Sequence, residues 1–271
     1  NIIVHFNSKE RYFEKENGGV STALNLGIKH MRGEYFSWLS HDDIYMPDKI
    51  ETEINELIKD GDLRKPVYSN FSLLIMPEGM VEKYKRLDMD IHIRYATSGL
   101  FAVAMGLISG CSLLIHKSYF EEYGLFDTTL RAVQDYIKWF EMFKDKRLLY
   151  VNKPLIKSRC HDAQVGLTYH NMKKEREFLF ERIIESITDE LTRVCGLTLY
   201  EFLGIFLFSL EERGYDDTAN SVRLRMKSED GVIEQSKQNE LLNRVSEISE
   251  HVYLYCMGRN SKVLFRAFRE R

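Results

Sequence analysis

Two hydrophobic periods alternate along this chain up to Gly166, and from Asn171 onward only one of them survives. That switch limits the fold more than any single motif does. The turn Asn17-Gly18-Gly19 leads into a stretch opening near Ser21, where Leu24, Ile28 and Met31 recur at helical spacing and Gly33 supplies a stop. "YFSWL", Tyr35 to Leu39, is continuous and aromatic, the pattern of a buried parallel strand. Pro47 then stands where helices begin, Ile50, Ile54, Leu57 and Ile58 share one face, and Gly61 closes it. Val67 to Ile75 reads as a strand, Met80 to Tyr95 as polar and irregular, and "SGCSLLIHK" as a strand ending near Ile115. A helix from about Asp135 to Phe143 and short strands at Leu148 to Val151 and Leu155 to Arg159 follow. Beyond Asn171, Ile183, Ile187, Leu191 and Val194 form a helical stripe, Phe202 to Leu210 is apolar almost all round, and strand signals cease. Alternation followed by helices alone predicts an α/β domain over 1–170 and a helical C-terminal region over 171–271.

Composition narrows the function classes. A net charge of −3 across 271 residues supplies no basic field for nucleic acid. No apolar run approaches bilayer length, and Phe202 to Leu210 reads as buried core. Cys111, Cys160, Cys195 and Cys256 are scattered without a CxxC pair, which suggests reduced thiols in a cytoplasmic protein.

The densest chemistry lies just past "YFSWL", where Ser40, His41, Asp42 and Asp43 run together. In open α/β sheets ligands sit outside the carboxyl ends of strands. Adjacent carboxylates there suit a hard divalent cation, because Mg2+ takes one or two carboxylates plus substrate phosphates. The competing reading is that Asp42 or Asp43 caps the helix beginning near Pro47. Spacing alone leaves both readings standing.

"ENGGVSTALNLGIKHMRGEYFSWLSHDDIYMPDKIE" resembles the family 2 glycosyltransferases of the GT-A fold. Their pattern is an N-x-G loop, a helix carrying A-R-N, a G-E-Y/F strand, then D-x-D-D and a helix near proline. "GCSLLIHKSYFEEYGLFDTTLRAVQDYIKWFEMF" is similar to the acceptor-side half, and "IKSRCHDAQVG" to the loop carrying a metal-binding histidine. The resemblance covers Asn1 to Gly166 and leaves the helical tail uncovered. It implies a GT-A mixed sheet flanked by helices, and an inverting, metal-dependent glycosyltransferase of cell-surface polysaccharide synthesis. The donor would be a UDP- or GDP-linked sugar, the acceptor a glycan or lipid-linked glycan, and the cofactor Mg2+ or Mn2+. Position by position, Asp42 matches the metal-holding aspartate of D-x-D and Asp43 its neighbour on the donor side. Asn17 and Gly19 match the donor-side loop, His161 the second metal ligand, and Asp135 the general base.

Three positions depart from the pattern. Ser40 stands for the first aspartate of D-x-D, Gln134 for the glutamate before the base, and Leu24 for the arginine of A-R-N. Ser40 and Gln134 support a rival reading, a non-catalytic glycan- or partner-binding protein on a degenerate GT-A scaffold. His41 fills the variable position and is expected in the pocket wall. For Asp135, the helix dipole would lower its pKa and weaken it as a base unless burial offsets the effect. Its competing reading is an ordinary helix cap.

Asn1 runs straight into "IIVHF", and the turns that shape the base and ribose pocket in the family do not occur. A preceding nucleotide-binding segment is therefore expected. Without it the chain should bind donor weakly and tend to associate, as a homo-oligomer or otherwise, through an exposed sheet edge. At the other end, Val263, Leu264, Ala267 and Phe268 oppose Arg259, Lys262, Arg266 and Arg269. Such a basic amphipathic helix over 259–271 suits peripheral contact with the inner face of a membrane, or packing on the protein body.

Overall fold

The computed structural model describes residues 11–76, 80–83, 95–162, 164 and 168–230. The basic amphipathic stretch 259–271 lies outside them. The order begins α1 (Val20–His30), β1 (Tyr35–Phe36), β2 (Ile44–Tyr45), α2 (Lys49–Asp60), β3 (Val67–Ile75) and β4 (Met80–Lys83). It continues with α3 (Gly99–Ala104), a 3-10 turn (Gly110–Ser112), β5 (Leu113–His116), α4 (Ser118–Tyr123), α5 (Gln134–Phe143) and β6 (Leu149–Cys160). Helices alone follow: α6 (Met172–Ser186), α7 (Asp189–Val194), α8 (Leu199–Glu212) and α9 (Asp216–Asp230).

One mixed sheet runs β1-β5-β3-β6-β2, with β4 added on β3. The parallel pair is β3 with β6, and the other described pairings are antiparallel. The "YFSWL" segment departs from expectation. Only Tyr35 and Phe36 pair, antiparallel to β5, and they are half-buried. The chain then leaves the ladder because the Ser37 hydroxyl, not a backbone amide, reaches across to Leu113 O at 3.1 Å. The two short strands expected near Leu148 and Leu155 are one strand, β6, whose register slips opposite Ser69 and Asn70. Residues 80–83, expected to be irregular, pair with β3 through Ser72 to Ile75.

Glycines set the ends of the first two helices. Gly19 enters α1 at φ 86, and Gly61 leaves α2 at φ 88, backbone regions that side chains with a Cβ rarely adopt. Under the exit of β1, Lys49 and Glu53 of α2 form a buried ion pair at 2.7 Å. Lys49 also reaches Ser37 Oγ at 3.3 Å and lies 4.8 Å from the centre of the Tyr45 ring. Burial raises the Glu53 carboxyl to about 7 and lowers the Lys49 ammonium, each against the pull of its partner.

The helices after residue 171 do not sit apart from the sheet. Leu179, Phe180, Ile183, Phe202 and Phe206 are buried in the same apolar cluster as Phe101, Trp139 and Phe143. Phe202 meets Phe101 edge-on with ring centres 6.4 Å apart. Each such side chain contributes roughly 1.5–3 kcal/mol on burial, so the helical region is part of what holds α3 and α5 in place. Of the run Phe202 to Leu210, expected as buried core, Phe202, Leu203, Phe206 and Leu210 are buried and the residues between them are partly exposed. Among the described residues, no helix is long and apolar enough to cross a membrane.

Candidate active site

The loop from Ser37 to Asp43 crosses to the far end of β6 and is fastened there. Asp43 N donates to Ser40 O at 3.2 Å, closing a tight turn. Asp43 Oδ1 accepts from Arg159 N at 3.0 Å. Asp43 therefore anchors the turn to β6, and the anchoring leaves Asp42 facing His161, with Oδ2 and Nε2 3.4 Å apart. Both side chains keep some access to solvent, 18% for Asp42 and 30% for His161. His41 stands out in solvent, its side chain 93% exposed, instead of lining a pocket wall.

Neither Asp42 nor Asp43 caps a helix. Helix α2 begins at Lys49, and Asp48 occupies the N-cap position. Burial pushes the Asp42 carboxyl upward, but hydrogen bonds from Ser40, its own amide and His161 outweigh this and hold it below the usual aspartate range. Ser40 thus supports the carboxylate that follows it. An ionised Asp42 beside an imidazole nitrogen offers one hard oxygen and one nitrogen ligand. Among the described residues, no three His, Cys, Asp or Glu side chains converge as a metal cluster.

The 3-10 turn Gly110–Ser112 links this corner to Asp135. On one side Cys111 Sγ accepts from Ser40 N at 3.2 Å. Burial pushes that thiol up to about 12, so it is a structural acceptor and no nucleophile. On the other side, a Cβ built on Gly110 would lie 2.6 Å from the Trp38 ring and 3.4 Å from Asp135 Oδ2. Only glycine lets Trp38 and Asp135 close on the turn together. Sequence reasoning missed Trp38, Gly110, Cys111 and the Arg159 amide as parts of this site. The run of small residues in "SGCS" was the available signal, since small residues mark close approach.

Asp135 lies in the first turn of α5, one residue past its start at Gln134, and Val133 takes the cap position. Burial raises its carboxyl to about 6, against the hydrogen bond from Tyr136 N at 2.9 Å and the charge of Arg176. Burial wins over the helix terminus, which is the condition a carboxylate base needs.

Asn17 and Gly19 stand elsewhere. Asn17 Oδ1 accepts from Gly19 N at 3.1 Å and shapes the entry to α1. Gly19 lines a cleft of about 360 Å3 together with Ser21, Arg131, Gln134, Tyr169 and His170. Gln134 is buried, and its Oε1 has no hydrogen-bond partner among the described residues. No hydrogen bond joins Asn17 or Gly19 to the Asp42 corner among the described residues.

The model of a family described as "Glycosyl transferase family 2" matches residues 3–124. An uncharacterized glycosyltransferase of Rickettsia typhi is 38% identical over 224 residues, covering 79% of this chain and 67% of the relative. One from Rickettsia felis is 40% identical over 190 residues, 70% of this chain but 31% of the relative, so the chain spans about a third of that protein. Among solved structures, Staphylococcus aureus TarS 1-349 in complex with UDP-GlcNAc is similar, with a TM-score of 0.52 and 12% sequence identity. The match covers 95% of this chain and 70% of that one, and it shows the fold.

Proposed function

Since the chain belongs to glycosyltransferase family 2 and has its GT-A fold, we propose that it moves a sugar from a nucleotide-sugar donor to a hydroxyl of a glycan or lipid-linked acceptor. The observation that carries this reading is the pairing of two unlike carboxylates across the Gly110–Ser112 turn. Asp42 is held ionised beside His161, and Asp135 is held at a raised pKa against Gly110. Two carboxyl groups with opposed environments divide the tasks of anion partner and base.

In this mechanism the acceptor hydroxyl gives its proton to the Asp135 carboxylate as its oxygen bonds to the anomeric carbon. The bond from that carbon to the donor phosphate breaks, and its electron pair leaves with the nucleoside diphosphate. Attack opposite the leaving group inverts the anomeric configuration. A pKa of about 6 leaves Asp135 mostly ionised at neutral pH and more basic than an exposed aspartate. Asp42 and His161 are the residues that would hold Mg2+ or Mn2+, which supplies charge neutralisation on the departing diphosphate. Asp43 keeps Asp42 in place through its bond to the Arg159 amide. The UDP-GlcNAc bound in TarS supports a uridine-linked donor here.

The pathway reading is cell-surface polysaccharide synthesis, with the protein working at the inner face of the membrane. The test is calorimetric titration of UDP- and GDP-sugars with Mn2+ or with chelator, followed by release of nucleotide when glycan acceptors are added. Metal-dependent binding and acceptor-stimulated release are expected. Binding without turnover on any acceptor would favour the glycan-binding alternative suggested by Gln134.

A further inference from the structure

The loop that delivers Asp135 is held from outside the α/β part of the chain. Three successive backbone amides, those of Arg131, Ala132 and Val133, point at one carboxylate, that of Glu175 in the first turn of α6. The distances to Oε2 are 3.2, 2.7 and 3.3 Å in that order, and Arg131 N also reaches Oε1 at 3.3 Å. Tyr169 OH donates to Oε1 at 2.9 Å. Consecutive amides turned inward form an anion-binding concavity, and hydrogen bonds to an ionised acceptor are about twice as strong as neutral ones. Helix α5 begins at the next residue, Gln134, and Asp135 follows it.

We propose that Glu175 is a positioning residue for Asp135, its carboxylate seated in the backbone nest of 131–133 so that α5 presents Asp135 against Gly110. The inference rests on Asp135 being the base. It gives the helical region a task in catalysis, because the fold would leave the 131–133 amides to water without α6. Nothing in residues 1–170 supplies a carboxylate to that nest among the described contacts. Arg176, next along α6, is the charge that reaches Asp135. Its neighbour Glu175 thus fixes the backbone while Arg176 acts through its field. Lys138, one turn further along α5, is already engaged by Glu141 and the Tyr123 carbonyl.

Two substitutions in the full chain separate reach from charge. Glu175→Asp keeps the charge but is one methylene too short, and Glu175→Gln keeps the reach and a carbonyl acceptor but loses the charge. Amide hydrogen exchange of 131–133 reads the nest. A 13C titration of the Asp135 carboxyl, assigned with Asp135→Asn, reads its consequence. The expected result is that Glu175→Asp speeds exchange about 10-fold or more, as local opening does, and moves the Asp135 midpoint from about 6 toward the ordinary aspartate range. Glu175→Gln, which keeps the reach but gives the three amides a weaker, neutral acceptor, should fall between the parent and Glu175→Asp in both. The inference is overturned if neither variant moves the midpoint, if both move it alike, or if only Glu175→Gln does, which would make the effect one of charge. Faster exchange with an unmoved midpoint also overturns it, leaving Glu175 as a loop brace alone. The Asp135 reading is judged separately, by whether Asp135→Asn still transfers sugar.

Discussion

Replacing Asp135 with asparagine should stabilise the folded chain, and only above about pH 4. The side chain is held where burial lifts its pKa from 3.8 to about 6. A carboxyl whose folded pKa is raised binds its proton more tightly in the native state. Its favourable contribution is complete below the unfolded value of 3.8 and is lost as pH rises through about 6. About two units at roughly 1.4 kcal/mol each gives a loss near 3 kcal/mol by pH 8. Asparagine keeps an oxygen for Tyr136 N and does not ionise, so it escapes that loss. For a chain of this size, roughly 2–4 °C in Tm accompanies each kcal/mol, so the variant should melt roughly 6–12 °C above the parent at pH 8. The two curves should draw together near pH 4. Scanning calorimetry across that range, at fixed ionic strength, measures the difference. A constant offset at every pH, or a variant that melts below the parent at pH 8, would refute the claim that burial governs Asp135.

Three further outcomes follow from other parts of the structure. Gly110→Ala puts a methyl 2.6 Å from the Trp38 ring and 3.4 Å from Asp135 Oδ2; transfer should fall on the order of 100-fold, the cost of misplacing a reacting group by about an ångström, while donor binding by calorimetry holds. Lys49→Met strands the buried Glu53 carboxylate and should cost about 3–5 kcal/mol in denaturant unfolding. Burial already raises the Glu53 carboxyl to about 7, and losing Lys49 removes what pulls it down, so that penalty should shrink at pH 5, where the carboxyl is neutral. Gly99→Ala would drive a Cβ to 2.1 Å from the Phe143 carbonyl, and the core should respond with several kcal/mol of lost stability, read by the same unfolding curves.

The sequence made the helices easier to read than the sheet, for a physical reason. Helix α2 is local: Leu57 is buried, Ile54 packs beside it and Gly61 ends it at positive φ, whereas Ile50 and Ile58 of the expected face are exposed. β1 is not local, because its partner is β5 and its length is cut short by Ser37 bonding to Leu113 across the sheet. The continuous run of β6 was hidden for the same reason, since its register slip depends on Ser69 and Asn70 in β3. Within the site, Asp42, His161 and Asp135 could be proposed from their match to the blocks of the family, and the structure sets Asp42 beside His161. What joins them to Asp135 is a turn of small residues, Gly110 and Cys111, whose role exists only once Trp38 and Ser40 are folded against it. Glu175 was invisible for a similar reason: its partners are backbone amides, which carry no signature in side-chain identity.

The division of labour between the two carboxylates is tested most directly by running Asp42→Asn and Asp135→Asn beside the parent chain. The measurement is donor binding by calorimetry with Mn2+, together with sugar transfer to acceptor under the same conditions. Asp42→Asn should lose metal-dependent donor binding. Asp135→Asn should bind donor as the parent does and lose transfer by about 100- to 10,000-fold, the contribution of a positioned base. Near-parental transfer by Asp135→Asn, or undiminished metal-dependent binding by Asp42→Asn, would contradict the account.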